Sequence, residues 1–119
     1  MADLKGKPYS IHVHHGLKHV DPADGNADLE VRFEDGSRYA ATFFTLNNLR
    51  LLFEKNEQIG DCKDGLYLWA SDMVIVKELT EMSVSETVAD LIAHGEFEGA
   101  FSELASDAQS PASQEIRSS

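Results

Sequence analysis

Leu29-Glu-Val-Arg-Phe-Glu-Asp-Gly-Ser-Arg-Tyr-Ala-Ala-Thr-Phe-Phe44 decides the fold class of this chain. Leu29, Val31 and Phe33 alternate with Glu30, Arg32 and Glu34, the two-residue period of a half-buried strand. Asp35-Gly36 then supplies the positive φ that a tight two-residue turn demands. Tyr39, Ala41 and Phe43 resume the alternation from Arg38 to Phe44, so the whole stretch reads as a β-hairpin.

Working outward, Tyr9 to His15 alternates in the same way, with Tyr9, Ile11 and Val13 on one face and Ser10, His12 and His14 on the other. Gly16 to Asn26 is a loop by its Asp21-Pro22 and Asp24-Gly25-Asn26 turn chemistry. After Phe44 the period lengthens to 3.6. Thr45 caps a helix whose apolar stripe is Leu46, Leu49, Leu52 and Phe53, and Gly60 stops it. Asp61 to Gly65 is a turn-rich link. Leu66, Leu68 and Ala70 alternate with Tyr67 and Trp69, and Met73 to Leu79 is a further β-rich run. Ser71-Asp72 between them is either a turn or a bulge in one long strand. Ser83-Val-Ser-Glu86 has the form of a capping box opening a helix with Val84, Val88, Leu91 and Ile92 inward, and Gly95 ends it. Phe97, Ala100, Phe101 and Leu104 suit one more short helix.

The expectation is an α+β domain over residues 9–104, in the order ββ-β-α-β-β-α-α. It comprises an antiparallel sheet of four to five strands with two to three helices on one face. Residues 1–8 read as a flexible start. Residues 105–119, rich in Ser, Ala, Gln and Pro, read as a disordered tail.

Composition narrows the function. With 42% hydrophobic residues in 119, the chain can bury a core. Glu78, Glu81, Glu86, Asp90, Glu96, Glu98, Glu103 and Asp107 bring −8 of the −11 net charge into a stretch without Lys or Arg. The first 77 residues are nearly balanced. Such acidity opposes binding to a nucleic-acid backbone or to anionic lipid. The lone Cys62 suits a reducing compartment, and neither a secretory signal nor a membrane span is apparent. The expected location is cytoplasmic.

Chemistry-bearing clusters are few. His12 and His14 share a strand face and could reach one ion, but zinc needs three or four ligands and no spacing here matches a zinc pattern. A solvent-exposed polar strand face is the simpler arrangement, and neither a metal nor a cofactor is expected. Asp61 and Asp64 beside Cys62 disfavour the thiolate that a nucleophile requires. The glycines are isolated, so there is no phosphate loop. No catalytic residue emerges, and the chain reads as a non-enzyme.

Two features point to a partner. Trp69 and Tyr67 fall out of phase with the core-facing residues, so a helix covers them or a partner does; cover by a helix is the expected arrangement. Glu86 and Asp90 stand four apart with no cation in the helix pattern to pair with, forgoing the i,i+4 stabilisation that mixed charges give. A basic protein would offset that repulsion. The candidate partner-binding residues are therefore Glu86, Asp90, Glu96, Glu98 and Glu103, with Trp69 and Asp72.

Trp69-Ala-Ser-Asp-Met73, with Thr42 to Asn48, Lys55-Asn56, Gly65 to Val76 and Gly95-Glu-Phe97, resembles small bacterial proteins associated with immunity in contact-dependent and polymorphic toxin systems. The resemblance spans Leu29 to Leu104. It implies occlusion: one cognate toxin domain bound and its active site blocked. An acidic face can enter a basic cleft as a phosphate-backbone mimic. The alternatives are a metal-dependent protein or enzyme using His12 and His14, or a regulatory or scaffold domain whose acidic face only solubilises.

Overall fold

The computed structural model describes residues 4–105 and 113–116. Its strands are β1 (Tyr9–His14), β2 (Asn26–Phe33), β3 (Arg38–Thr45), β4 (Met73–Val76), β5 (Ser102–Leu104) and β6 (Ser113–Ile116). Its helices are α1 (Leu46–Ile59), α2 (Asp61–Gly65), α3 (Glu81–Ala93) and α4 (Phe97–Ala100). The fold is α+β, as the alternating and 3.6-residue periods require. Among the described residues the sheet runs β4-β3-β2-β1-β6, with β5 also on β3.

The β2–β3 hairpin forms with Val31 opposite Tyr39 and Leu29 opposite Ala41. Its turn is longer than two residues. The Gly36 N–H donates to the Phe33 carbonyl at 3.0 Å, and Gly36 takes φ 92°. A left-handed glycine after a β-turn makes a bulged hairpin, the next most favoured solution after a two-residue loop. The Asp35 carboxylate secures it, accepting from the Ser37 N–H at 2.9 Å, the Ser37 hydroxyl at 2.6 Å and Lys7 Nζ at 3.2 Å.

Ile11, Val13, Val31 and Phe43 point from the sheet into the core, which α3 and α4 close with Val84, Val88, Ile92, Phe97 and Phe101. Phe97 is the hub. Its ring meets Tyr39 edge-on at 5.2 Å and stacks on Phe101 at 4.4 Å. Each such side chain contributes about 1.5–3 kcal/mol on leaving water.

Several expectations are corrected. The sheet is mixed, because β4 runs parallel to β3, with Phe43 opposite Val74. A parallel return needs a long crossover, and the connection from Leu46 to Asp72 provides it. Leu66 to Ala70 is not a strand despite its alternation. The edge of β3 is taken by β4 at Thr42–Thr45 and by β5 at Arg38–Ala40, so that segment does not pair with β3. Ser71-Asp72 is a turn, with Asp72 at φ 53°.

The last helix stops at Ala100. Phe101 turns extended and β5 begins, pairing with β3 instead of continuing helically. The α3 capping box starts one turn earlier than expected: Thr80 Oγ1 accepts from the Ser83 N–H, and Ser83 Oγ accepts from the Thr80 N–H, both at 3.1 Å. At the start of the chain Leu4 is buried in the core, a turn after it brings Lys7 to Asp35, and residues 1–3 lie outside the described residues. In the expected tail, Ser113–Ile116 pairs antiparallel with β1; residues 106–112 and 117–119 lie outside the described residues.

Candidate functional site: an apolar arm beside an acidic edge

The connection from β3 to β4 forms an arm. Thr45, fully buried, starts α1 by accepting the Asn48 N–H at 3.1 Å, and Gly60 at φ 83° ends it. Because Gly60 lies between α1 and α2, the two helices fold back on one another at once. Gly65 keeps them close: a Cβ there would lie 2.9 Å from the Phe53 carbonyl oxygen.

The stripe expected to bury α1 does so at one position. Leu49 is buried, Leu52 is half-buried, and Leu46 and Phe53 are exposed. Leu46, Leu49, Phe53 and Gly65 instead line an open hollow of about 670 Å3, edged by Arg50 and Glu57. The physical reason is position. α1 leaves the end of β3 and is tied to the body at its first turn, where Asn48 bonds Asn26 and Asp24. Farther along it packs on the short α2, so its apolar residues have little to pack on.

Trp69 is not covered by a helix. It is 71% exposed, and it follows Leu66 at 74% and Tyr67 at 47%. A large exposed aromatic with apolar neighbours is unusual for a solvated loop and typical of a contact surface. Asp72 is tied into the fold. Its carboxylate accepts from the Ser102 hydroxyl at 2.7 Å, and its carbonyl accepts from the Thr42 N–H at 3.0 Å. It therefore joins the arm to β3 and β5, and holds the acidic Glu103 segment beside the arm.

The acidic candidates are spread along the body. Glu86 shares a hollow of about 410 Å3 with Ile75, Lys77, Glu78, Ser83 and Thr87, between β4 and α3. Asp90 is exposed and has a partner after all: His94 Nδ1 lies 3.3 Å from its carboxylate and 2.9 Å from its own carbonyl. That carbonyl, then the Asp90 charge and Glu96, raise the His94 imidazole above its ordinary value of 6.5. The helix pattern does contain a cation for Asp90, one that titrates.

Glu98 and Glu103 are exposed near Tyr39. Burial first, then these two acids and Asp35, push its hydroxyl upward. Glu96 opens α4 and is exposed. Glu86, Asp90, Glu96, Glu98 and Glu103 are thus all exposed, within one run of the chain from residue 86 to residue 103.

The histidine strand is not the exposed face expected of it. His12 is buried, its Nε2 2.8 Å from Ser10 Oγ, because β1 lies between β2 and β6. His14 and His15 bring their rings to 3.9 Å. Among the described residues no group of three or more His, Cys, Asp or Glu side chains is placed to share a metal ion. Cys62 sits half-buried in α2 at φ 49°. Also among the described residues, no helix is long and apolar enough to cross a membrane.

Sequence reasoning missed Leu46, Phe53, Leu66 and Ile75 as surface residues. The α1 stripe reads the same whether a core or a partner covers it, so the period alone held no signal. Comparisons with protein-family models, with curated proteins and with solved structures find no match to this chain.

Proposed function

We propose that this chain is a small, non-catalytic binding protein of the cytoplasm that occludes a basic partner, in the manner of an immunity or inhibitor protein on a cognate toxin domain. The observation that carries the reading is the exposure of Trp69, 71%, on an arm tied through Asp72 to the acidic edge. The two parts divide the work of recognition. Apolar and aromatic side chains supply contact area that is desolvated on binding, while like-signed acids steer a positive partner and raise the encounter rate.

Charge supports the basic partner. Five exposed acids, Glu86, Asp90, Glu96, Glu98 and Glu103, lie within residues 86–103, a stretch that contains no Lys or Arg. The toxin assignment rests on the resemblance of the Trp69-Ala-Ser-Asp-Met73 region.

The test is a binding titration against a toxin domain encoded beside this gene, at two salt concentrations. Trp69→Ser should weaken the complex by at least about 2 kcal/mol if it is a central anchor. Glu86→Lys with Asp90→Lys should slow association and flatten the salt dependence. Unchanged affinity in both variants, with circular dichroism confirming folding, would overturn the reading.

A further inference from the structure

We infer that the hollow between β4 and α3 takes an extended segment of the partner as an added strand, with a Lys or Arg of that segment against Glu78 and Glu86. This rests on the reading of the chain as a binder of a basic partner, and it names how that partner is held.

The first observation is an open edge. Among the described residues β4 pairs only with β3. The Asp72 carbonyl accepts from Thr42, so it faces β3. Backbone direction alternates along a strand, and Met73 and Ile75 therefore turn their N–H and C=O groups outward. An edge of this kind is a template for another strand. Natural edges are usually protected by an internal charge, a proline or a bulge. β4 is short, at four residues, but Met73-Val-Ile-Val76 has no charge, no proline and an unbroken register.

The second observation is the shape beside that edge. The hollow of about 410 Å3 is lined by Ile75 and Val76 of β4, by Lys77 and Glu78 that follow it, and by Ser83, Glu86 and Thr87 of α3. A groove between an edge strand and a helix is the geometry in which main-chain hydrogen bonds supply affinity and side-chain contacts supply selectivity. Ile75, 54% exposed, offers the apolar contact. Ser83 and Thr87 are already committed: their hydroxyls donate to backbone carbonyls, Thr87 Oγ1 to Ser83 at 2.6 Å. The selectivity therefore falls to the charges.

Charge selects the occupant. Glu78 and Glu86 outnumber Lys77 in the groove, and the acids of α3 and α4 continue beyond it. A second copy of this −11 chain would bring its own acids into the same groove, so a basic strand of another protein fits better.

The experiment titrates the whole chain with a peptide alternating Val with Lys and Thr, and follows the assigned backbone amides by NMR. Two control peptides accompany it, one N-methylated at alternate residues and one with Glu in place of Lys. The expected result is shifts concentrated at residues 73–77 and 83–87, with affinity about tenfold lower for each control and for Glu86→Lys. Equal binding of the N-methylated peptide would overturn strand addition while leaving the basic-partner reading intact. Equal binding of the Glu peptide would overturn both. Shifts confined to Leu46, Phe53 and Trp69, no shifts at 73–77, or sedimentation showing pairs of this chain joined through β4, would overturn the groove as the site.

Discussion

The sheet with α3 and the arm of α1 and α2 contain similar apolar residues and use them oppositely. In the body, Ile11, Val13, Val31, Phe43, Val84 and Val88 are wholly enclosed. In the arm, Leu46, Leu66 and Trp69 each keep about 70% or more of their surface in water. Hydrophobic composition therefore says that contacts exist but not where they are made. An apolar side chain stabilises the fold only when the chain itself brings a second surface to it. α3 has such a surface in the sheet, whereas α1 is attached at its first turns and extends away.

Breaking the body should have the largest effect. Phe97→Ala removes the ring that joins Tyr39, Phe33 and Phe101, and should cost about 3–5 kcal/mol in urea unfolding. The seam between the regions comes next. Thr45→Ala removes the α1 cap and also leaves the buried Gly25 N–H, now 3.1 Å from Thr45 Oγ1, without its acceptor. A loss of about 2 kcal/mol is expected. Within the arm, Gly65→Ala forces a left-handed residue against the Phe53 carbonyl. It should cost about 1–2 kcal/mol and raise hydrogen exchange in α1 and α2, leaving β1 to β3 protected.

Titration effects are smaller, since the groups concerned are exposed. Hydrogen bonds from Ser37 and Lys7 hold Asp35 at about 2 against an ordinary 3.8. Its contribution is complete above the unfolded value and is lost as pH falls from near 3.8 through about 2. His94 behaves in the opposite sense. Its raised value makes its contribution complete below 6.5 and lost as pH rises through the folded value. NMR titration of the two side chains checks both directions, and Asp90→Asn should bring His94 back toward its ordinary value. Least of all, Leu66→Ser should alter stability by no more than about 0.5 kcal/mol.

The same contrast explains what was legible in the sequence. The hairpin from Leu29 to Phe44, the α1 limits at Thr45 and Gly60, and the inward face of α3 are set locally, by alternation, capping and turn residues. The strand expected over Leu66 to Ala70 and the helix expected through Leu104 depend on something non-local: which segment takes the edge of β3. β4 and β5 both do, and no local pattern reports it. The acids at Glu86, Glu98 and Glu103 were readable because charge on a helix or edge stays in water wherever the element packs. The exposure of Trp69 was not, since its phase showed only that it left one face, without showing that the other lay open.

Acrylamide quenching of Trp69 fluorescence tests that exposure most directly, because this is the only tryptophan in the chain. The account predicts a folded-state quenching constant close to that of the urea-unfolded chain, falling when the partner binds. Strong protection of Trp69 in the free, folded protein would contradict it, since the arm would then be packing its apolar residues as the body does.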